Sequence, residues 1–260
     1  MNTLQKLFNQ KTHNLLSIFF TAGFPNLNDS DKIIHELNSA EVDFIEVGLP
    51  YSDPLADGPT IQHSSSVALK NGMNLDVVFD QLERINETNK TPLVLMGYVN
   101  QIIKYGDEAF CKRVKACGID TLILPDLPMI EYENHYQSLF DKYGLSNVFL
   151  ITPHTSEERI RKIDQLTDTF IYVVASASIT GAKGEMSDDQ LSYFKRIKNM
   201  NLKSHLIIGF GISDNKSFTS ACEYANGAII GSAFIKELDK FGISGVPNFI
   251  KKIKGENALV

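Results

Sequence analysis

The feature that most constrains this chain is an eightfold alternation. Short, near-continuous apolar runs recur along its 260 residues: LLSIFF from Leu15, FIEVGL from Phe44, PLVLMG from Pro92, TLILPD from Thr121, NVFLIT from Asn147, FIYVVA from Phe170, HLIIGF from His205 and GAIIGS from Gly227. Runs of this length and β-branched content predict strands buried on both faces, which is how parallel strands read. Amphipathic segments lie between them. SDKIIHELNSA places Ile33, Ile34, Leu37 and Ala40 on one helical face, with Ser30 as the expected N-cap. GDEAFCKRVKACG spaces Ala109, Phe110, Val114 and Cys117 in the same way, and Gly118 can end that helix. SEERIRKIDQLT, MSDDQLSYFKRIKNM and SDNKSFTSACEYANG repeat the design, the second with an acidic first turn suited to the helix dipole. Eight strands alternating with helices predict one α/β domain over residues 1–260, a (β/α)8 TIM barrel. An open doubly wound sheet is the alternative. LQKLFN near the start is expected to add an N-terminal helix closing the bottom of the barrel.

Composition narrows the function classes. A net charge of −6 argues against a generic nucleic-acid or anionic-membrane binder. The basic cluster Lys251, Lys252 and Lys254 reads as a solvated helix face. Three cysteines, Cys111, Cys117 and Cys222, with no C-x-x-C pair, fit reduced thiols in a cytosol. No metal-ligand spacing appears among the six histidines. The polar N-terminus lacks a signal-peptide core, and no apolar run reaches the roughly 18 residues of a membrane span. A cytoplasmic location is expected.

In such barrels the chemistry sits where strands end, at their C-terminal face. Alternation along FIEVG places Phe44, Glu46 and Gly48 on one face and Ile45 and Val47 on the other. The β-branched pair suits the helix layer, so Glu46 is expected to point into the barrel. A buried carboxylate must be paired, hydrated or protonated, and none of the eight runs contains an Arg or Lys. Glu46 is therefore a candidate catalytic group. Asp57 follows in a loop stiffened by Pro50, Pro54 and Pro59; read alone, Asp57-Gly58-Pro59 is a turn. Asp53 before Pro54 has the same reading more strongly, and Asp126 in LPDLP is either a site group or a turn.

A second signal lies in the last third. GFG (Gly209–Gly211) ends the seventh run, GSA (Gly231–Ala233) ends the eighth, and TGAKG (Thr180–Gly184) follows the sixth. Glycines let backbone N–H groups approach an anion, and the loops after strands seven and eight often hold phosphate in these barrels. Ser232 is expected to add a hydroxyl and cap the helix that follows.

With these residues assembled, IEVGLPYSDPLADGPTIQ resembles the signature of the tryptophan synthase α subunit family. FFTAGFP, LMGYVN, LPDLP, ITGAKG, GFGIS and GAIIGSAF extend the resemblance from the first strand to the eighth. It implies retro-aldol cleavage of indole-3-glycerol phosphate to indole and D-glyceraldehyde 3-phosphate in L-tryptophan biosynthesis. It implies Glu46 as general acid and base at the indole C3 and the side-chain hydroxyl, and Asp57 at the indole nitrogen. It implies phosphate contacts at Gly181, Gly211, Gly231 and Ser232 with Phe210 beside them, and Phe19, Tyr172 and Thr180 lining or closing the indole pocket. It also implies a partner, the pyridoxal-phosphate-dependent β subunit of an α2β2 heterotetramer. Tyr51, Ser52, Asp53 and Pro54 would touch that subunit, and no cofactor would reside in this chain. The stretch before Thr180 departs from the family pattern, reading ASASI.

Rival readings make separate demands. A Schiff-base aldolase or an indole-glycerol-phosphate synthase would want Lys at strand ends, and a sugar-phosphate epimerase would want metal ligands there. A barrel retained mainly to bind and activate its β partner, with little activity alone, would not need both acids.

Overall fold

The computed structural model describes residues 2–175, 187–209 and 211–256. The strands are β1 (Leu15–Thr21), β2 (Phe44–Gly48), β3 (Leu93–Met96), β4 (Thr121–Ile123), β5 (Ser146–Ile151), β6 (Phe170–Val174), β7 (His205–Gly209) and β8 (Gly227–Ile230). All neighbours are parallel, and β8 returns to pair with β1, so the sheet is a closed barrel rather than an open one. Each strand is short and almost wholly buried because it packs inward on the barrel interior and outward on helices.

The helices are α1 (Thr3–Gln10), α2 (Ser30–Ser39), α3 (Pro59–Lys70), α4 (Leu75–Asn86), α5 (Val99–Tyr105), α6 (Asp107–Ala116), α7 (Met129–Glu131) and α8 (Gln137–Tyr143). Then come α9 (Glu157–Leu166), α10 (Asp188–Asn199), α11 (Asn215–Cys222), α12 (Ser232–Phe241) and α13 (Val246–Lys254). A π-helical turn, Tyr132–Tyr136, joins α7 to α8. Several connections therefore carry two helices where the amphipathic pattern showed one. Among the described residues no helix is long and apolar enough to cross a membrane.

Three local expectations are corrected. Ser30 does not cap α2: Asp29 holds that position, without a side-chain cap bond, and Ser30 is the first helical residue. Ser232 likewise begins α12, whose N-cap is Gly231. Ala109 is exposed, so the buried face of α6 runs through Phe110, Cys111 and Val114. A serine one position inside a helix and one just outside it look alike in sequence, because only the backbone angles of that single residue differ.

The N-terminal helix forms as expected and closes the bottom of the barrel. Asn2 and Gln5 make a reciprocal capping box. The Thr3 backbone N–H and hydroxyl both donate to the Asp120 carboxylate, at 2.7 and 2.9 Å. These bonds hold Phe8 against the barrel floor, edge-on to Phe44 and Phe170 and stacked 4.3 Å from the His205 ring. With the floor filled by aromatic rings, the cavity of the barrel lies at its C-terminal face.

Candidate active site

Register carries Glu46 to that opening. It pairs with Phe19 on β1 and Val94 on β3, and its side chain shares the inner face with Phe44 and Gly48. A cavity of about 410 Å³ lies above it, lined by Phe19, Glu46, Asp57, Met96, Leu150 and Tyr172 on one side. Gly211, Gly231, Ser232 and Lys236 line the other. Two glycines make room for the rings. A Cβ on Gly48 would stand 2.5 Å from Phe19 Cζ, and one on Gly209 would stand 2.1 Å from Tyr172 Oη. Phe19 and Tyr172 are thus core residues whose edges form the cavity wall.

Glu46 is 1 % exposed, and its Oε2 has no hydrogen-bond partner among the described residues. Burial, reinforced by the nearby negative charge of Asp57, lifts its pKa from 4.5 to about 8. The carboxyl is therefore mostly protonated near neutrality. Asp57 is also raised by burial, but a hydrogen bond opposes the shift: Tyr98 Oη donates to its Oδ2 at 2.8 Å. Two acids on one cavity are thus tuned by different surroundings, Glu46 by burial beside a like charge and Asp57 by burial opposed by a hydrogen-bond donor.

The loop after β2 delivers Asp57. Its N–H donates to Pro54 O at 3.0 Å, so the turn inferred from the local sequence is present. Gln62 Nε2 donates to the Asp57 carbonyl at 2.9 Å, and Pro59 opens α3 at its first position. Asp57 is a turn residue and a cavity residue at once. Asp126 lies in a turn after β4, and its carboxylate accepts from Val99 N–H at 3.0 Å and tethers the start of α5.

On the opposite wall, Gly211 has φ +79, a conformation that favours glycine, while Gly231 and Ser232 form the N-terminal end of α12. Thr180, Gly181 and Phe210 lie outside the described residues. In the loop after β2, Ser52 and Asp53 are exposed, Tyr51 is half-buried and Pro54 is buried, whereas Leu55 is 91 % exposed. Sequence reasoning missed Tyr98 and Lys236. Lys236 was legible as the residue four places after Ser232, hence on the same helical face. Tyr98 carried no local signal, since its hydroxyl reaches back 41 residues.

A closed (β/α)8 barrel with two buried carboxyls lining a cavity at the C-terminal ends of its strands has the architecture of a barrel enzyme. The family profile of the tryptophan synthase alpha chain matches residues 4–255. The chain is 55 % identical over 250 residues to the tryptophan synthase alpha chain of Christiangramia forsetii, covering 96 % of this chain and 97 % of that one. Its structure superposes on a tryptophan synthase α-subunit of Pyrococcus furiosus with a TM-score of 0.85 at 31 % identity, covering 94 % and 99 % of the two chains. A chain of the tryptophan synthase complex from the same organism superposes with a TM-score of 0.84 at 30 % identity, covering 94 % and 99 %. This chain belongs to the tryptophan synthase alpha chain family.

Proposed function

We propose that Glu46 and Asp57 are the acid–base pair for the reaction of this family, cleavage of indole-3-glycerol phosphate to indole and D-glyceraldehyde 3-phosphate. The observation that carries this is the buried Glu46, whose Oε2 has no hydrogen-bond partner among the described residues, sharing one cavity with Asp57. The bond from indole C3 to the glycerol side chain cannot break while the ring is aromatic. Protonated Glu46 supplies the proton to C3, and the carboxylate so formed takes the proton of the neighbouring hydroxyl as the bond cleaves. Asp57 accepts the indole N–H and stabilises the positive charge that C3 protonation places on the ring. Nothing in this sequence of proton transfers calls for a cofactor.

The phosphate is assigned to Gly211 after β7 and to Gly231 and Ser232 at the start of α12, and the family resemblance adds Gly181 and Phe210. Backbone N–H groups and the helix dipole favour an anion there, and Lys236 adds a cation on the same wall. Phe19 and Tyr172 bound the indole ring, and the family resemblance assigns Thr180 to the same pocket. Residues 1–260 are taken to work as one barrel domain.

The partner reading is the tryptophan synthase β subunit, carrying pyridoxal phosphate, in an α2β2 heterotetramer in the cytoplasm. Tyr51, Ser52, Asp53 and Pro54 form the contact loop. Leu55 beside them, Ile103 on α5 (60 % exposed) and Ile130 on α7 (64 % exposed) follow β2, β3 and β4 on the same rim. Exposed large apolar side chains gathered on one rim suit a protein partner.

The test is release of indole from indole-3-glycerol phosphate by the purified chain, with and without the β subunit. Indole is expected in both cases, faster with the partner. No release under either condition would end the assignment. An equal rate with and without the partner would remove the coupling while leaving the chemistry.

A further inference from the structure

Tyr98 sits just beyond β3, 5 % exposed, and is fixed from four directions. Its backbone N–H donates to Gln101 Oε1 at 3.0 Å, and Gln101 Nε2 in turn donates to Pro50 O at 3.0 Å. Its ring stacks on Tyr51, with centroids 5.0 Å apart and planes 28° apart. Asn100 Nδ2 donates to the Tyr51 hydroxyl at 3.0 Å, which holds the stacked ring. The Tyr98 hydroxyl then makes two bonds of opposite sense: it accepts from Ala56 N–H at 3.2 Å and donates to Asp57 Oδ2 at 2.8 Å.

A phenol has one proton to give. Here the backbone N–H of Ala56 points at the oxygen, so the O–H is directed at Asp57. A donor aimed at Oδ2 favours the carboxylate over the protonated acid. It also occupies that oxygen. Among the described residues no hydrogen bond engages Oδ1, and Asp57 lines the cavity. We infer that Tyr98 is a positioning residue for the reaction: it keeps Asp57 ionised and reserves Oδ1 as the oxygen that receives the indole N–H. This rests on the assignment of Asp57 to the indole nitrogen.

The groups that bear on Asp57 are few. Burial disfavours its charge and the Tyr98 hydroxyl favours it, while Asp57 in turn raises Glu46 on β2. Tyr172 on β6 faces both carboxyls, Asp126 after β4 faces the Tyr98 hydroxyl, and Lys236 on α12 lines the far wall. Removing the phenol O–H therefore leaves burial as the main influence on Asp57, and its pKa rises. The pH below which Asp57 is protonated and idle moves up with it.

The experiment measures kcat and KM for indole release against pH with the wild type, Tyr98→Phe and Asp57→Asn, in the presence of the β subunit. Phenylalanine keeps the ring on Tyr51 and removes only the hydroxyl. The acid limb that disappears in Asp57→Asn is the limb of Asp57. In Tyr98→Phe that limb is expected to move to higher pH by about one unit, with kcat down up to about tenfold on the limb itself, less above it, and KM changed less than about twofold. A uniform loss of rate with the limb unmoved would overturn the inference, because a merely structural role predicts that result. Full activity in Asp57→Asn would instead overturn the parent assignment. Should Tyr98→Phe fail to fold, site-specific 3-fluorotyrosine at 98 keeps the shape and makes the phenol a stronger donor. The limb is then expected to move to lower pH, and an unmoved limb counts against the inference.

Discussion

Glu46→Gln is expected to lower indole release by about 10³-fold, the scale of a general acid–base group. Affinity for D-glyceraldehyde 3-phosphate should stay within about threefold, because the wall proposed for the phosphate lies across the cavity from β2. The reasoning is isosteric. Gln fills the same volume at a position 1 % exposed, so the barrel keeps its shape while the amide has no carboxyl proton to deliver to C3. Steady-state assay and product titration by calorimetry separate the two effects. Turnover at the wild-type rate would remove Glu46 from the mechanism. Loss of product binding together with turnover would point to a disturbed barrel instead.

The same substitution has a stability signature whose sign can be worked out. The folded pKa of Glu46, about 8, lies above its ordinary value of 4.5. Below the lower value both states hold the proton, and the carboxyl costs the fold nothing through ionisation. Between the two values the unfolded chain releases the proton while the folded chain keeps it, so stability falls as pH rises and levels off above the upper value. At about 1.4 kcal/mol per pH unit, the wild type should lose about 3 kcal/mol relative to Glu46→Gln between about pH 5 and pH 7.5. Urea unfolding of both proteins at the two pH values measures the difference. A gap that does not change with pH would mean that Glu46 ionises in the folded protein as readily as in the unfolded chain. The free energy given up here is a cost of keeping a proton available inside the barrel.

The barrel and Glu46 were legible from sequence for one common reason. Parallel strands buried on two faces leave few places for charge, so the runs stand out, and an acid inside one of them stands out further. Asp57 was legible only through the family resemblance, because its local sequence encodes a turn and the turn exists. What makes it more than a turn is Tyr98, brought from beyond β3 by barrel closure. No period or spacing encodes a contact of that kind. The doubled helices between strands were missed because each connection needs only one amphipathic segment to cover the sheet. A second short helix such as α5, whose bounds are set by the Asp126 tether at one end and Gly106 at the other, leaves little periodicity to detect. The misplaced caps at Ser30 and Ser232 come from the opposite limit, where the signal is present but shifts by one residue.

Gly209→Ala is expected to cost about 1–3 kcal/mol of stability and on the order of 10²-fold in turnover, with the loss concentrated on the indole half of the site. The added Cβ would stand 2.1 Å from Tyr172 Oη and 2.3 Å from its Cε1 and Cζ, so removing the hydroxyl would not relieve the clash. The β7 backbone cannot retreat, because Gly209 is held in register between Val174 on β6 and Ile229 on β8. The Tyr172 ring is the movable partner, and the open space beside it is the cavity it lines. Swinging there, it occupies volume meant for the substrate ring. Indole affinity should therefore fall by an order of magnitude or more, while D-glyceraldehyde 3-phosphate, held on the far wall, binds nearly as before. Fluorescence or calorimetric titration with each product separately distinguishes these outcomes. Unchanged indole affinity in a folded Gly209→Ala protein would show that the ring found another exit and that Tyr172 does not bound the indole pocket. Equal loss of both ligands would place the damage in the whole C-terminal face. The selective loss follows only if one glycine, three strands away from the proposed acid pair, sets where the pocket wall stands.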